Sequence, residues 1–214
     1  MELKDYLETV ILPRYKNQDL GHNKTHIQEV LKYSLQLIEF FPELNPNIVM
    51  TAVYYHDLGN LIDRDSHHII SANIVLADKR LLEWFTEKEI LTISGACRNH
   101  RDSNKNKENM TLLEKVINDA DGCDGVKIDR MLERAFLYNY HKYQNLKSLP
   151  EIYDEIFNHL GSKYSTNGYA KSFILDETEK ITKTQLTQRN NLFKNKKEFI
   201  RRLTIVTDKL PNCK

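Results

Sequence analysis

Apolar residues recur at intervals of three and four through residues 25–41, where Ile27, Val30, Leu31, Leu35 and Ile38 form one stripe. That spacing predicts an amphipathic helix. Pro42 and Pro46 bracket a turn, and residues 47–58 read as a second helix with Gly59 as its C-terminal stop. Residues 2–12 form a shorter helix that ends near Pro13. Residues 66–78 and 86–100 are the next two, the latter opened by Thr86 and Glu89 as a capping box. The polar run RDSNKNKENM, residues 101–110, is a loop, and helices follow at about residues 111–120, 129–143 and 149–160. Residues 161–169, with two glycines, are the expected hinge. Residues 170–207 are helix-prone with a thin apolar stripe, so their packing partner is either the same domain or another subunit, as in a homodimer.

The segment IVMTAVYY, residues 48–55, is rich in β-branched and aromatic side chains and could form a buried strand. It runs into HDLG without a turn signal, which favours a helix buried on all sides. No other segment alternates convincingly. The expected fold is therefore all-α: a compact helical domain over residues 1–160, followed by a helical extension over 161–214.

Composition agrees with this picture. The 214 residues include only 7 Gly and 5 Pro, too few to punctuate many short strands. No apolar run reaches the length of a membrane-spanning helix, and the N-terminus carries acids where a signal peptide carries bases. Cytoplasmic residence and no membrane partner are the expectations. Three cysteines, Cys97, Cys123 and Cys213, have no C-x-x-C spacing, which argues against a disulfide framework or a cysteine zinc site. Residues 171–214 hold 11 Lys and Arg against 5 Asp and Glu, whereas the rest of the chain has 20 against 25. The basic tail could attract nucleic acid, but a solvated helix face is the commoner outcome, and nucleic acid is not the expected partner.

The candidate chemistry centres on His56-Asp57, placed directly after the apolar segment. A carboxylate beside an imidazole at the end of a buried helix is costly without compensation, and a divalent cation provides it. Imidazole nitrogen and carboxylate oxygen together suit Mn, Fe, Co, Ni or Zn, with Mg also compatible. Neighbouring helix residues point about 100° apart, so other ligands must come from other helices. His26, near the start of the preceding helix, and Asp121, at the end of a later one, are placed for this. Four protein ligands leave coordination positions open, as catalysis requires.

The runs GHNKTHIQEVLKYS, TAVYYHDLGN and VINDADGCDG, in that order, resemble the HD-superfamily metal-dependent phosphohydrolases. The likeness extends over about residues 20–140. It implies a helical bundle of the HD-domain type with His26, His56, Asp57 and Asp121 as metal ligands, and Asp57 as the bridging carboxylate if two ions bind. The family's Ala-Asp pair selects Asp121 over Asp119 and Asp124. Histidines recruited by two-metal members correspond to His68 and His100, as second-metal ligands or phosphate donors, while His67 is read as exposed. Acids that some members carry soon after the pair are replaced by Asn60 and Leu61, a departure from the alarmone-hydrolysing branch. Asp63, a little further on, is the remaining acid–base candidate there.

The resemblance implies hydrolysis of a phosphomonoester or phosphodiester bond, in a nucleotide or another small phosphorylated substrate, by metal-activated water. Asp57 would orient the nucleophile, and Arg64, Arg98 and Arg101 are candidate phosphate-binding residues. Two other readings compete: a di-iron oxygenase on the same scaffold, and a non-catalytic helical module that binds nucleic acid or nucleotide.

Overall fold

The structure, a computed structural model, describes residues 1–17, 22–101, 107–165 and 173–210. Among them are ten α-helices and no strand. The chain forms two compact units: residues 1–123 with 174–178, and residues 124–173 with 179–214. This division falls after Cys123, whereas the sequence pattern placed one at 160/161. The reason is that the helices on either side of residue 145 share a core with the last helix of the chain.

In the first unit, a short α-turn α1 (Leu3–Tyr6) passes into a π turn over Leu7–Ile11 and a 3₁₀ segment over Leu12–Asn17. The departure from α geometry begins at Leu7, and Pro13, within the 3₁₀ segment, has no N–H to donate. α2 (Lys24–Ile38) starts at Asn23, whose side chain accepts the His26 amide. α3 (Pro46–Tyr55) has Asn45 as N-cap and Pro46 in its first turn. Val49 and every residue from Thr51 to Tyr55 of α3 are buried, so the C-terminal half of this helix is enclosed on all sides and needs no polar face. IVMTAVYY is thus helical, its β-branched composition overridden by burial.

A 3₁₀ turn, Leu58–Leu61, joins α3 to α4 (His67–Ala77); α5 (Glu87–Asn99) and α6 (Leu112–Cys123) follow. Thr86 and Glu89 form the expected capping box. α3 packs against α2 and α5, α2 against α6, and α4 against α5. The core where they meet includes Ile27, Val30, Ile93, Val116 and Ile117, all fully buried. Each such side chain contributes about 1.5–3 kcal/mol of burial free energy.

The second unit contains α7 (Ile128–Tyr143), α8 (Leu149–Tyr164), α9 (Asp176–Phe193, from residue 179) and α10 (Lys196–Thr207). The first four residues of the expected hinge, 161–164, belong to α8, and residues 166–169 lie outside the described residues. The helix-prone stretch 170–207 divides at Asn195, whose side chain accepts the Glu198 amide and restarts the chain as α10. Phe199 and Leu203 of α10 are fully buried with Leu132 and Phe136 of α7 and Ile152 and Ile156 of α8. The apolar face of α10 is covered within its own chain. Arg202 adds a two-point hydrogen bond to Asp129 at 2.8 and 3.0 Å. No helix among the described residues is long and apolar enough to cross a membrane.

Replacing Phe199 by Ala would empty the centre of the second core, at a cost of about 3–5 kcal/mol. Urea unfolding followed by circular dichroism should show the midpoint fall accordingly. An unchanged midpoint would mean that α10 is not packed on α7 and α8.

Candidate metal centre

α3 ends at His56, and Asp57 leaves helical geometry with φ −111° and ψ 6°. This break brings two adjacent side chains together that a continuous helix would hold about 100° apart. His56 Nε2 lies 3.4 Å from Asp57 Oδ2. From α2, His26 places its Nε2 3.5 Å from the same oxygen and 3.1 Å from Asp121 Oδ1 at the end of α6. His26, His56 and Asp57 are all buried, whereas the Asp121 side chain is 29% exposed and stands at the open edge of the group.

The other oxygen of Asp57 faces a second pair of imidazoles. His67 Nε2, on the first residue of α4, is 3.4 Å from Oδ1, and His100 Nε2, at the C-terminus of α5, is 3.5 Å from it. The two nitrogens are 3.1 Å apart. Ligand atoms of His26, His56 and Asp57 lie within 4.8 Å of one another, as do those of Asp57, His67 and His100, and those of His56, His100 and Asp121. Asp57 is therefore placed to bridge two donor sets.

The backbone dictates the chemistry of these rings. His56 Nδ1 is 2.8 Å from Val53 O, His67 Nδ1 is 2.6 Å from Arg64 O, and His100 Nδ1 is 2.7 Å from Cys97 O. A carbonyl can only accept, so each Nδ1 carries the proton and each neutral ring turns its Nε2 lone pair inward. His56 Nε2 is buried and makes no hydrogen bond among the described residues. The Nε2 atoms of His67 and His100 face one another without a donor between them unless a proton or cation is shared. Two ligands about 2.1 Å from one ion at neighbouring coordination positions stand roughly 3 Å apart, the spacing seen here. The residues fit a divalent transition metal.

Titration follows the same geometry. Burial would raise the Asp57 carboxyl, but His56, His100 and His26 hold it well below the usual carboxylate range. Asp121 is likewise lowered, the hydrogen bond and charge of His26 outweighing its partial desolvation. Burial lowers His67 to about 4, against the pull of Asp57. Burial acts in the same direction on His100, yet its contact with Asp57 leaves it raised. At neutral pH the His67 lone pair is thus available without removal of a proton.

The turn that follows Asp57 sets the position of α4. The Gly59 amide donates to Ser71 Oγ at 2.9 Å, and a Cβ on Gly59 would stand 2.2 Å from the carbonyl oxygen of His67. Gly59 is not a left-handed helix stop, for no glycine among the described residues has positive φ. It is required because two backbones touch. Tyr15 closes the back of the pair: fully buried, it donates to Tyr54 O at 2.9 Å, and burial together with the Asp57 charge raises its hydroxyl well above the ordinary range. No periodicity in residues 12–17 signals this.

Not every expected residue joins the centre. His67 stands in the cluster where His68 was expected, because the first turn of α4 aims only one of two adjacent rings inward. His68 packs edge-on against His67, centroids 5.7 Å apart, and belongs to none of the donor groups. Asp63 is exposed and accepts from the Asp65 and Ser66 amides and the Ser66 hydroxyl. It shapes the turn into α4, and the Ser66 hydroxyl holds its carboxyl below the ordinary value. Arg64 contributes its carbonyl to His67, with its side chain exposed, and Arg98 is exposed on α5. Arg101 donates to Asp65 O at 2.6 Å, and its charge is felt by both His67 and His68. Of the three arginines, it stands closest to the second donor set in electrostatic terms.

Elemental analysis of purified variants would check this arrangement. His67→Ala and Gly59→Ala should each lose metal relative to wild type, and His68→Ala should retain the full complement. Full metal content in His67→Ala would show that the imidazole at the start of α4 is not a ligand.

Residues 24–125 match the HD domain family, and this stretch contains every member of the cluster. No curated protein and no solved structure matches the chain. With four imidazoles and two carboxylates delivered by α2, the α3 terminus, α4, α5 and α6, residues 24–125 are an HD domain.

Proposed function

We propose that the chain is a metal-dependent phosphohydrolase that cleaves a phosphomonoester or phosphodiester bond in a nucleotide. The observation that carries this reading is the double use of Asp57, whose two oxygens face separate sets of imidazole nitrogens at 3.4–3.5 Å. His26, His56, Asp57 and Asp121 would hold one divalent ion, and Asp57, His67 and His100 a second. When bound, such ions act as Lewis acids that lower the pKa of water from ~15.7 towards ~7 and neutralise charge on phosphoryl oxygens.

The protein's own residues supply the rest. Asp57 fixes both donor sets in one frame and is held ionised by its imidazole neighbours. Asp121, the most exposed donor, stands at the edge of the site where water and substrate would enter. The Nδ1 bonds to Val53, Arg64 and Cys97 carbonyls keep the rings from turning, which preserves the geometry through a reaction cycle. Arg101 offers a guanidinium beside the second set for an anionic substrate. Two carboxylates against two divalent cations leave the centre net positive, which favours a phosphate over a neutral substrate.

The imidazole-rich second set also supports a narrower second reading, oxygen chemistry at paired iron, because nitrogen ligands suit a redox-active ion. Oxygen uptake by iron-loaded protein would separate it from hydrolysis.

The assay is a panel of nucleotides, p-nitrophenyl phosphate and bis-p-nitrophenyl phosphate with Mn, Fe, Co, Ni or Zn. Wild type should release phosphate or p-nitrophenol in a metal-dependent manner, and Asp57→Ala should lose at least about a thousandfold in rate together with its metal. Arg101→Ala should raise KM by about tenfold while keeping its metal. A metal-loaded wild type inert on the whole panel but consuming oxygen would replace hydrolysis by the second reading.

A further inference from the structure

The Asp119 carboxylate is 99% shielded, two residues before Asp121 on α6, yet it takes no part in the donor cluster. It accepts four hydrogen bonds from residues more than fifty positions away. The Ile174 amide lies 2.9 Å from Oδ1 and 3.1 Å from Oδ2, the Leu175 amide 2.8 Å from Oδ2, and the Thr178 hydroxyl 2.8 Å from Oδ2. These groups enter and begin α9, so a carboxylate on α6 stabilises the N-terminal end of a distant helix, where negative charge is favourable. Thr178 is fully buried, and residues 174–178 pack as part of the first unit although their chain neighbours on both sides belong to the second.

α6 is anchored in three directions. Asn118 donates to His100 O at 2.6 Å, Asp119 takes the 174–178 segment, and Asp121 meets His26 at 3.1 Å. Successive helical residues differ by about 100°, so Asp119 and Asp121 leave α6 on nearly opposite sides. An anchor opposite the metal-facing residue resists both rotation and sliding of the helix. We propose that Asp119 is a positioning residue: by clamping residues 174–178 to the back of α6, it sets the placement of Asp121 against His26. This rests on the reading of Asp121 as a metal ligand. It also explains why residues 174–178 pack with the first unit.

The test combines hydrogen exchange, read by mass spectrometry over residues 173–178, with Mn(II) titration followed by electron paramagnetic resonance. Asp119→Ala should speed exchange of the Ile174 and Leu175 amides and weaken Mn(II) binding about tenfold, the lower range for loss of a supporting contact around a metal site. Asp119→Asn, which keeps one accepting oxygen, should restore much of both. Thr178→Val, which removes the hydroxyl bond to Asp119 and keeps the carboxylate with its two amide donors, should shift both readouts in the same direction by less. It should add nothing when combined with Asp119→Ala. Unchanged exchange would show that there is no clamp. Faster exchange with unaltered Mn(II) affinity in Asp119→Ala and Thr178→Val would overturn the positioning role and leave the metal-centre reading intact. Wild type that binds no Mn(II) would remove that reading and the positioning role together.

Discussion

The structure depends on one buried charge. Asp57 is 2% exposed, and a carboxylate withdrawn from water in this way is sustained only by compensating partners. Here the partners are four imidazoles from four places in the chain, two on each oxygen. The first unit can be read as the scaffold that meets this requirement. α2 and the end of α3 serve one oxygen, the start of α4 and the end of α5 serve the other, and α6 closes the group with Asp121.

A second constraint lies in the backbone. Three of the four histidines direct Nδ1 to a carbonyl three residues earlier, so local helix-end geometry dictates which nitrogen faces inward. The rings are oriented before any ion arrives, and pre-orientation of ligands reduces the entropy that binding must overcome. Close packing extends this control: Gly59 meets the His67 backbone with no room for a methyl group, and Asn118 holds the His100 carbonyl. Helix termini, more than helix middles, carry the site, because unpaired backbone groups at the ends are available to orient side chains.

Much of this was legible in the sequence. The three- and four-residue spacing in 25–41 located α2, the merging of IVMTAVYY into HDLG identified a buried helix, and His26, His56, Asp57, Asp121 and His100 all stand in the cluster. The misses share a cause. Whether His67 or His68 faces inward depends on how the first turn of α4 is rotated, which the contact between Gly59 and His67 decides, and one-dimensional pattern contains no such angle. Asp63, the acid–base candidate, accepts hydrogen bonds within the turn before α4, as short acids before a helix commonly do. The partners of Asp119 lie 55 and more residues away, and only the folded chain brings them together. The break at Asn195 could have been found, since Asn195 and Glu198 have capping spacing; the polar character of the whole stretch masked it.

Asp57, if the proposal holds, would serve two metal positions at once. Anomalous diffraction from crystals of the full chain grown with Mn(II) or Fe(II) tests it most directly. The account predicts two anomalous peaks, one on each side of the Asp57 carboxylate, the first among His26, His56 and Asp121 and the second beside His67 and His100. A single peak that leaves His67 and His100 without a ligand role would contradict the bridging arrangement, and no peak at Asp57 would contradict the metal centre itself.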